Sequence, residues 1–245
     1  MAHGFTQTHR VWGGLDALLG ADHQIVALDM PGHGRSAVVR ADLPEGAALM
    51  ADRGLRSTYL GYSMGARFAL HLALALPELV DRLVLISGTA GLDDEAERRD
   101  RRRADNELAD QLDPGAGARG PAVPVDVFIR RWLEAPLFAG IDEVANGFAE
   151  RLANTGPGLA SSLRLAGTGT QQPLWDRLGE LTMPVLIITG EHDEKFTALG
   201  GRLARSIGSN ASAITVPGTG HAPHLQRPDL VARAVRSMPG PSAPG

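Results

Sequence analysis

The sequence predicts an α/β fold with a mostly parallel central sheet flanked by helices, and three observations predict it. Short apolar, β-rich runs recur at residues 24–28, 58–60, 83–86, 185–189 and 213–216, and each lies beside a turn signal. Helical patterns separate most of them. The runs are apolar throughout rather than alternating, as expected of parallel strands covered on both faces.

At 245 residues the chain can bury the core of one α/β domain. With 43% hydrophobic and 21% charged residues its composition is that of a globular protein. A formal net charge of −4 gives no general basic surface for nucleic acid. The absence of cysteine excludes disulfides, thiolate metal sites and a thiol nucleophile. No apolar run approaches the roughly 18 residues of a membrane span, and the first residues lack a signal-peptide pattern. A cytoplasmic enzyme without cofactor or metal is expected, and the sequence leaves its oligomeric state open.

The elements follow in order. A helix is predicted over residues 64–76, where Phe68, Leu72 and Leu76 recur every four residues before Pro77 stops it. Further helices are predicted over 199–207 and 230–238. Residues 93–181 differ: their helix-like pieces are broken by Pro114, Gly115, Pro121, Pro124, Pro136 and Gly156–Pro157, and no strand pattern appears. This reads as a helical cap inserted after the strand at 83–86, above the carboxyl ends of the strands, where α/β proteins bind ligands. The predicted division is a core of 1–92 and 182–238, a cap of 93–181, and a Pro-, Gly- and Ser-rich disordered tail from 239 to 245.

Gly61-Tyr62-Ser63-Met64-Gly65 is a G-x-S-x-G pentapeptide between a predicted strand and a predicted helix. A sharp strand-to-helix turn strains the central residue and exposes its hydroxyl, while small flanking residues prevent a clash. Two further polar residues follow separate strands, in the order serine, acid, histidine. Residues 184–190 run into Asp193, and residues 215–220, ending in a Gly-rich loop, run into His221. Such a histidine takes the serine proton while the acid fixes its tautomer. His224 competes with His221, and Glu191 with Asp193; position favours His221 and Asp193. As a fourth element, His3-Gly4-Phe5 resembles an H-G oxyanion turn, in which the amides of Phe5 and Met64 are expected to point at a developing oxyanion. Asp29-Met30-Pro31-Gly32-His33-Gly34-Arg35-Ser36 is a fifth, a D-x-P-G-H-G-x-S loop.

Taken together, in order and across nearly the whole chain, these segments resemble the α/β-hydrolase superfamily. Within it, residues 61–67, 87–92 and 190–196 look like the menaquinone-pathway synthases that make 2-succinyl-6-hydroxy-2,4-cyclohexadiene-1-carboxylate (SHCHC). The Arg-rich helix at 97–105, the stretch 132–138, and Arg151 followed by Asn154 agree. The resemblance implies a lyase: the serine helps remove a proton, and pyruvate is eliminated from a cyclohexene carrying several carboxylates. It also implies carboxylate-binding roles for Arg67, Arg101 and Arg151.

The residues themselves are compatible with a polycarboxylate. Arg67 is unusual in a helix start that otherwise reads Ala, Phe, Ala, Leu. Arg98, Arg101 and Arg102 share a helix face, and a planar guanidinium suits bidentate carboxylate binding. The plainer alternative is a solvated face neutralised by Asp93, Asp94, Glu95 and Asp105. Trp132 and Phe138 are pocket walls or cap core, Tyr62 is a hydrogen-bonding candidate beside the serine, and Lys195 a salt-bridging neighbour of Asp193. Two other functions remain open. One is a carboxylester or carbon–carbon bond hydrolase working through an acyl-enzyme. The other is a truncated, non-catalytic binding protein.

Members of the superfamily carry strands before the H-G turn, whereas only Met1 and Ala2 precede His3 here. The sequence therefore predicts a gap between the strands ending at Asp29 and Tyr62, residues 1–5 as at most a stub beside 58–60, and a weakly anchored Phe5.

Overall fold

Four of the apolar runs become strands in the computed structural model, which describes residues 1–53, 56–115, 120–142 and 144–240. They are β1 (Ser57–Tyr62), β2 (Val80–Ile86), β3 (Val185–Gly190) and β4 (Ala211–Val216), side by side in that order. Every pairing is parallel. Successive side chains on a strand point to opposite faces, so a strand buried on both must be apolar at every position. On β2, Leu83 and Leu85 enter the core on one face while Val84 and Ile86 enter that on the other. On β3, Val185 and Ile187 divide from Leu186 and Ile188 in the same way. β4, the edge strand, is mostly exposed or half-buried, and only Val216 is buried.

The helices are α1 (Leu15–Leu19), α2 (Leu43–Arg53), α3 (Met64–Ala75), α4 (Glu95–Leu112), α5 (Val125–Leu133), α6 (Phe148–Arg151), α7 (Gly156–Ala166), α8 (Glu194–Ile207), α9 (Pro223–Gln226) and α10 (Pro228–Arg236). α3 packs on β1 and β2, and α8 on β3 and β4. α3 stops ahead of Pro77 because proline cannot continue the ladder, and buries Phe68 and Leu72 completely. Each such side chain contributes about 1.5–3 kcal/mol. The arginine-rich helix starts earlier and ends later than its charge pattern suggests. Asp94 caps it by accepting from the Glu97 amide at 2.8 Å, and Ala109 and Leu112 extend its buried face. Between β2 and β3 the described residues form α4–α7 and no strand. Ala109, Leu112, Phe128, Ile129, Leu159, Ala160 and Leu163 give these helices a core of their own.

Two expectations are corrected. Residues 24–28 do not form a strand: only Leu28 makes a bridge, to Ala2. A run becomes a strand only where a neighbour runs alongside, and among the described residues 24–28 pair with Met1–Ala2 alone. Ala2 bridges Leu28 on one side and Gly61 on the other, donating to Leu60 O at 2.8 Å and accepting from the Tyr62 amide at 3.0 Å. Below this contact lies a cavity of about 370 Å³ between residues 23–28 and 56–60. Phe5, moreover, is not loosely held. Its ring meets His33, Phe128 and Trp132 edge-on, with centroids 5.0–6.4 Å away. Of the tail expected to be disordered, residues 241–245 lie outside the described residues.

Candidate active site

Ser63 sits between the last residue of β1 and the first of α3 with φ 50° and ψ −106°. A non-glycine residue held there costs of the order of 1–3 kcal/mol, and such strain gathers at functional sites. Close packing enforces it. A Cβ on Gly61 would stand 2.3 Å from Gly65 O, and one on Gly65 would stand 2.0 Å from Ala2 O. The Ser63 amide donates to Ile86 O at 2.8 Å, tying the turn to β2.

The chain brings His221 and Asp193 to this hydroxyl. His221 Nε2 is 3.2 Å from Ser63 Oγ, and His221 Nδ1 is 2.6 Å from Asp193 Oδ2. Nδ1 therefore carries the proton it donates to the carboxylate, and the Nε2 lone pair faces the serine. His221 and Asp193 are both buried. Asp193 is also the N-cap of α8, where Oδ1 accepts from the Phe196 amide at 3.3 Å. One carboxylate thus starts a helix with one oxygen and orients the imidazole with the other. The competitors are occupied elsewhere. Glu191 Oε2 accepts from the Gly218 amide at 2.8 Å, which shapes the loop leading to His221. His224 is fully buried with its ring 4.2 Å from that of Tyr62, and burial pushes it down to about 3.

The H-G turn is built from two buried imidazoles. His3 Nδ1 donates to Gly4 O at 2.8 Å and its Nε2 accepts from the Met30 amide at 3.0 Å. His33 Nδ1 donates to Pro31 O at 3.0 Å and its Nε2 accepts from the Thr6 amide at 3.2 Å. Both rings work as neutral spacers between backbone groups, and burial holds them at about 3 and about 4. The amides of Phe5 and Met64 have no acceptor among the described residues. The Met64 sulfur accepts from Ser162 Oγ at 3.4 Å.

A cavity of about 530 Å³ opens over Ser63 and His221, lined by Phe5, Tyr62, Trp132, Phe138, Arg67, Arg101 and Arg151 among others. Arg67, Arg101 and Arg151 differ in how they are held at its wall. Arg67 is buried, with Nη1 donating to Ala166 O at 2.8 Å, and burial lowers it to about 10. Arg151 is 1% exposed; its Nε donates to Asn146 O at 2.7 Å and its Nη1 to Thr6 Oγ1. Arg101 is half-exposed and its Nε donates to Asp105 Oδ1 at 2.8 Å. The other α4 arginines named above are elsewhere: Arg98 binds the carbonyls of Leu92 and Asp93, Arg102 that of Gly169, and Arg103 pairs with Asp100. Phe138 stands between Trp132 and His221, at 6.0 and 6.3 Å. Tyr62 is buried beside the serine, and burial raises its phenol. Lys195 lines the cavity instead of pairing with Asp193, whose oxygens go to His221 and Phe196.

Sequence reasoning missed three contributors. Asp105 reads as surface charge within an arginine run, yet it is 1% exposed. Asn154 accepts from the Gly34 amide at 2.9 Å and donates to Thr6 O at 2.7 Å, joining the helices after β2 to the H-G turn. Thr6, at φ 64°, receives both Asn154 and Arg151. Only the spacing from Arg151 to Asn154 hinted at this knot.

The chain belongs to the alpha/beta hydrolase family, whose profile matches residues 1–234. It is similar to a Bacillus subtilis (strain 168) protein provisionally named 2-succinyl-6-hydroxy-2,4-cyclohexadiene-1-carboxylate synthase, with 34% identity covering 95% of this chain and 86% of that one. The synthase of the same name from Enterobacter sp. (strain 638) is 31% identical, over 96% of this chain and 89% of its own. Among solved structures, MenH from S. aureus superposes with a TM-score of 0.83 at 27% identity, over 96% and 90% of the two chains.

Proposed function

We propose that this chain is an SHCHC synthase-like lyase of menaquinone biosynthesis that eliminates pyruvate from an enolpyruvyl cyclohexene bearing several carboxylates. The observation that carries the reading is one cavity holding Arg67, Arg101 and Arg151 together with the Ser63–His221–Asp193 relay. Three guanidiniums are a poor lining for a neutral ester and a good one for a polyanion, since each charge-assisted bond contributes roughly 1.5–3 kcal/mol. The relatives' names agree with this chemistry. In this reading α4–α7, within residues 93–181, are the cap that brings Arg101 and Arg151 over the carboxyl ends of the strands.

The reaction uses the relay as a base. His221 Nε2 accepts the Ser63 proton, and the oxygen so released takes a proton from a ring carbon. The C–H electron pair forms the new double bond as the carbon–oxygen bond to the enolpyruvyl group breaks. The departing enolate receives at carbon the proton held on His221 Nε2, which returns the relay to its starting state, and leaves as pyruvate. The Phe5 and Met64 amides bear the negative charge that develops on a conjugated carbonyl oxygen. Trp132 and Phe138 keep water from the carbanion.

The test supplies the purified chain with the enolpyruvyl polycarboxylate and follows pyruvate with a coupled dehydrogenase. Pyruvate release, with nitrophenyl esters turned over poorly, is the expected outcome. Rapid ester hydrolysis without pyruvate would establish a hydrolase, and neither activity would leave a binding protein.

A further inference from the structure

We propose that Asp105 is a positioning residue that fixes the carboxylate affinity of the cavity by deciding which partner Arg101 takes; the inference deepens the lyase reading and rests on it. On α4, Arg101 has a carboxylate four residues away on either side, Glu97 and Asp105, and all three line the cavity. On an isolated helix both spacings permit an ion pair, and a glutamate N-terminal to its arginine is the better order. The structure selects the other. Arg101 Nε donates to Asp105 Oδ1, whereas the exposed Glu97 carboxylate makes no ion pair among the described residues.

Burial explains the choice. The Asp105 side chain is 2% exposed, and an ionised carboxylate there has to be paired. Its Oδ2 also accepts from the Gly169 amide at 3.4 Å, in space left open because Gly167 carries no side chain: a Cβ there would stand 2.6 Å from it. Arg101 therefore comes to Asp105. Engaged through Nε, it keeps both Nη groups as a fork for a ligand carboxylate. Asp105 also opposes the mutual repulsion of Arg67 and Arg101. Without Asp105, the exposed Glu97 at the cavity's rim is the one remaining i±4 carboxylate and competes with the ligand for Arg101.

The experiment measures KM and kcat for pyruvate release and, independently, the Kd of benzene-1,2-dicarboxylate by calorimetry. Asp105→Asn, nearly isosteric, is expected to raise KM and Kd about tenfold and to change kcat less than threefold. Adding Glu97→Gln to it removes the competitor and recovers at least threefold of that loss. In an Arg101→Ala background, Asp105→Asn changes neither constant further. No recovery by Glu97→Gln, or an undiminished effect of Asp105→Asn without Arg101, overturns the proposal and leaves Asp105 a structural residue. Glu97→Gln alone, at an exposed site, needs no refolding of the buried network; it is expected to tighten Kd or leave it unchanged, and a weaker Kd also overturns the proposal. If the chain binds the dicarboxylate but releases no pyruvate, the lyase reading fails while the mutant cycle still decides the role of Asp105 through Kd.

Discussion

Ser63 occupies a backbone conformation that few side chains tolerate, and its hydroxyl meets the one ring nitrogen of His221 that is free to accept a proton. Under the proposed reaction Ser63→Ala is expected to lower kcat by about 10³-fold or more, with KM near its original value, because the hydroxyl acts in the transition state. Asp193→Asn separates two roles. An amide oxygen still caps α8, so the melting temperature is expected to move little, whereas loss of the carboxylate removes the charge that fixes the His221 tautomer. Activity is expected to fall by about 10³–10⁴-fold. A large fall in melting temperature in this variant would mean that the cap, rather than the relay, is what Asp193 chiefly supplies.

At the level of the element, the turn from β1 to α3 joins three separate stretches of chain. Ala2 O lies against Gly65, the Ser63 amide reaches β2, and the Tyr62 amide reaches Ala2. Gly65→Ala would push a methyl group into a backbone carbonyl that cannot rotate away. The expected cost is about 2 kcal/mol or more, a melting temperature lower by roughly 4–8 °C, with activity falling through displacement of the Met64 and Phe5 amides. An unchanged melting temperature would show that Ala2 moves aside freely. The cavity between residues 23–28 and 56–60 belongs to the same scale. One side is β1 and the other residues 23–28, and the Met1 amine inside it donates to Val26 O and is lowered by burial to about 6. Five or six apolar residues placed ahead of Met1 would replace that amine with an amide and pair with both sides. A melting temperature several degrees higher is expected, and no change would mean that the slot does not accept a strand.

Across the whole molecule, buried neutral imidazoles set the response to acid. Burial lowers His3 and His224 to about 3 and His33 to about 4. In the unfolded chain each charges near the ordinary 6.5, so unfolding takes up protons and stability falls as pH drops below that value. Between pH 7.5 and 5.5 each histidine is expected to remove about 1.4 kcal/mol of stability. Urea titrations at the two pH values measure the total. His224 offers the cleanest single test because neither of its nitrogens has a hydrogen-bond partner among the described residues. His224→Phe is expected to reduce the pH dependence by one histidine's share, and an unaltered dependence would show that His224 takes up its proton at the same pH in the folded and unfolded chain.

The amino-acid sequence by itself determined the elements whose signals are local. The apolar runs became β1–β4, Pro77 ended α3, and the serine, acid and histidine appeared in their order behind separate strands. These depend on hydrophobic run length, proline chemistry and glycine flanks, which a chain displays before it folds. Only the tertiary structure decided the rest. Residues 24–28 have strand composition but lack a continuous neighbour, and a ladder needs two sides. Arg101 has two carboxylates at equal spacing, and the burial of Asp105, invisible in a run of charges, selects between them. Arg151 and Asn154 reach Thr6 across about 145 residues of chain, a contact without a sequence pattern because the distance is closed by packing alone.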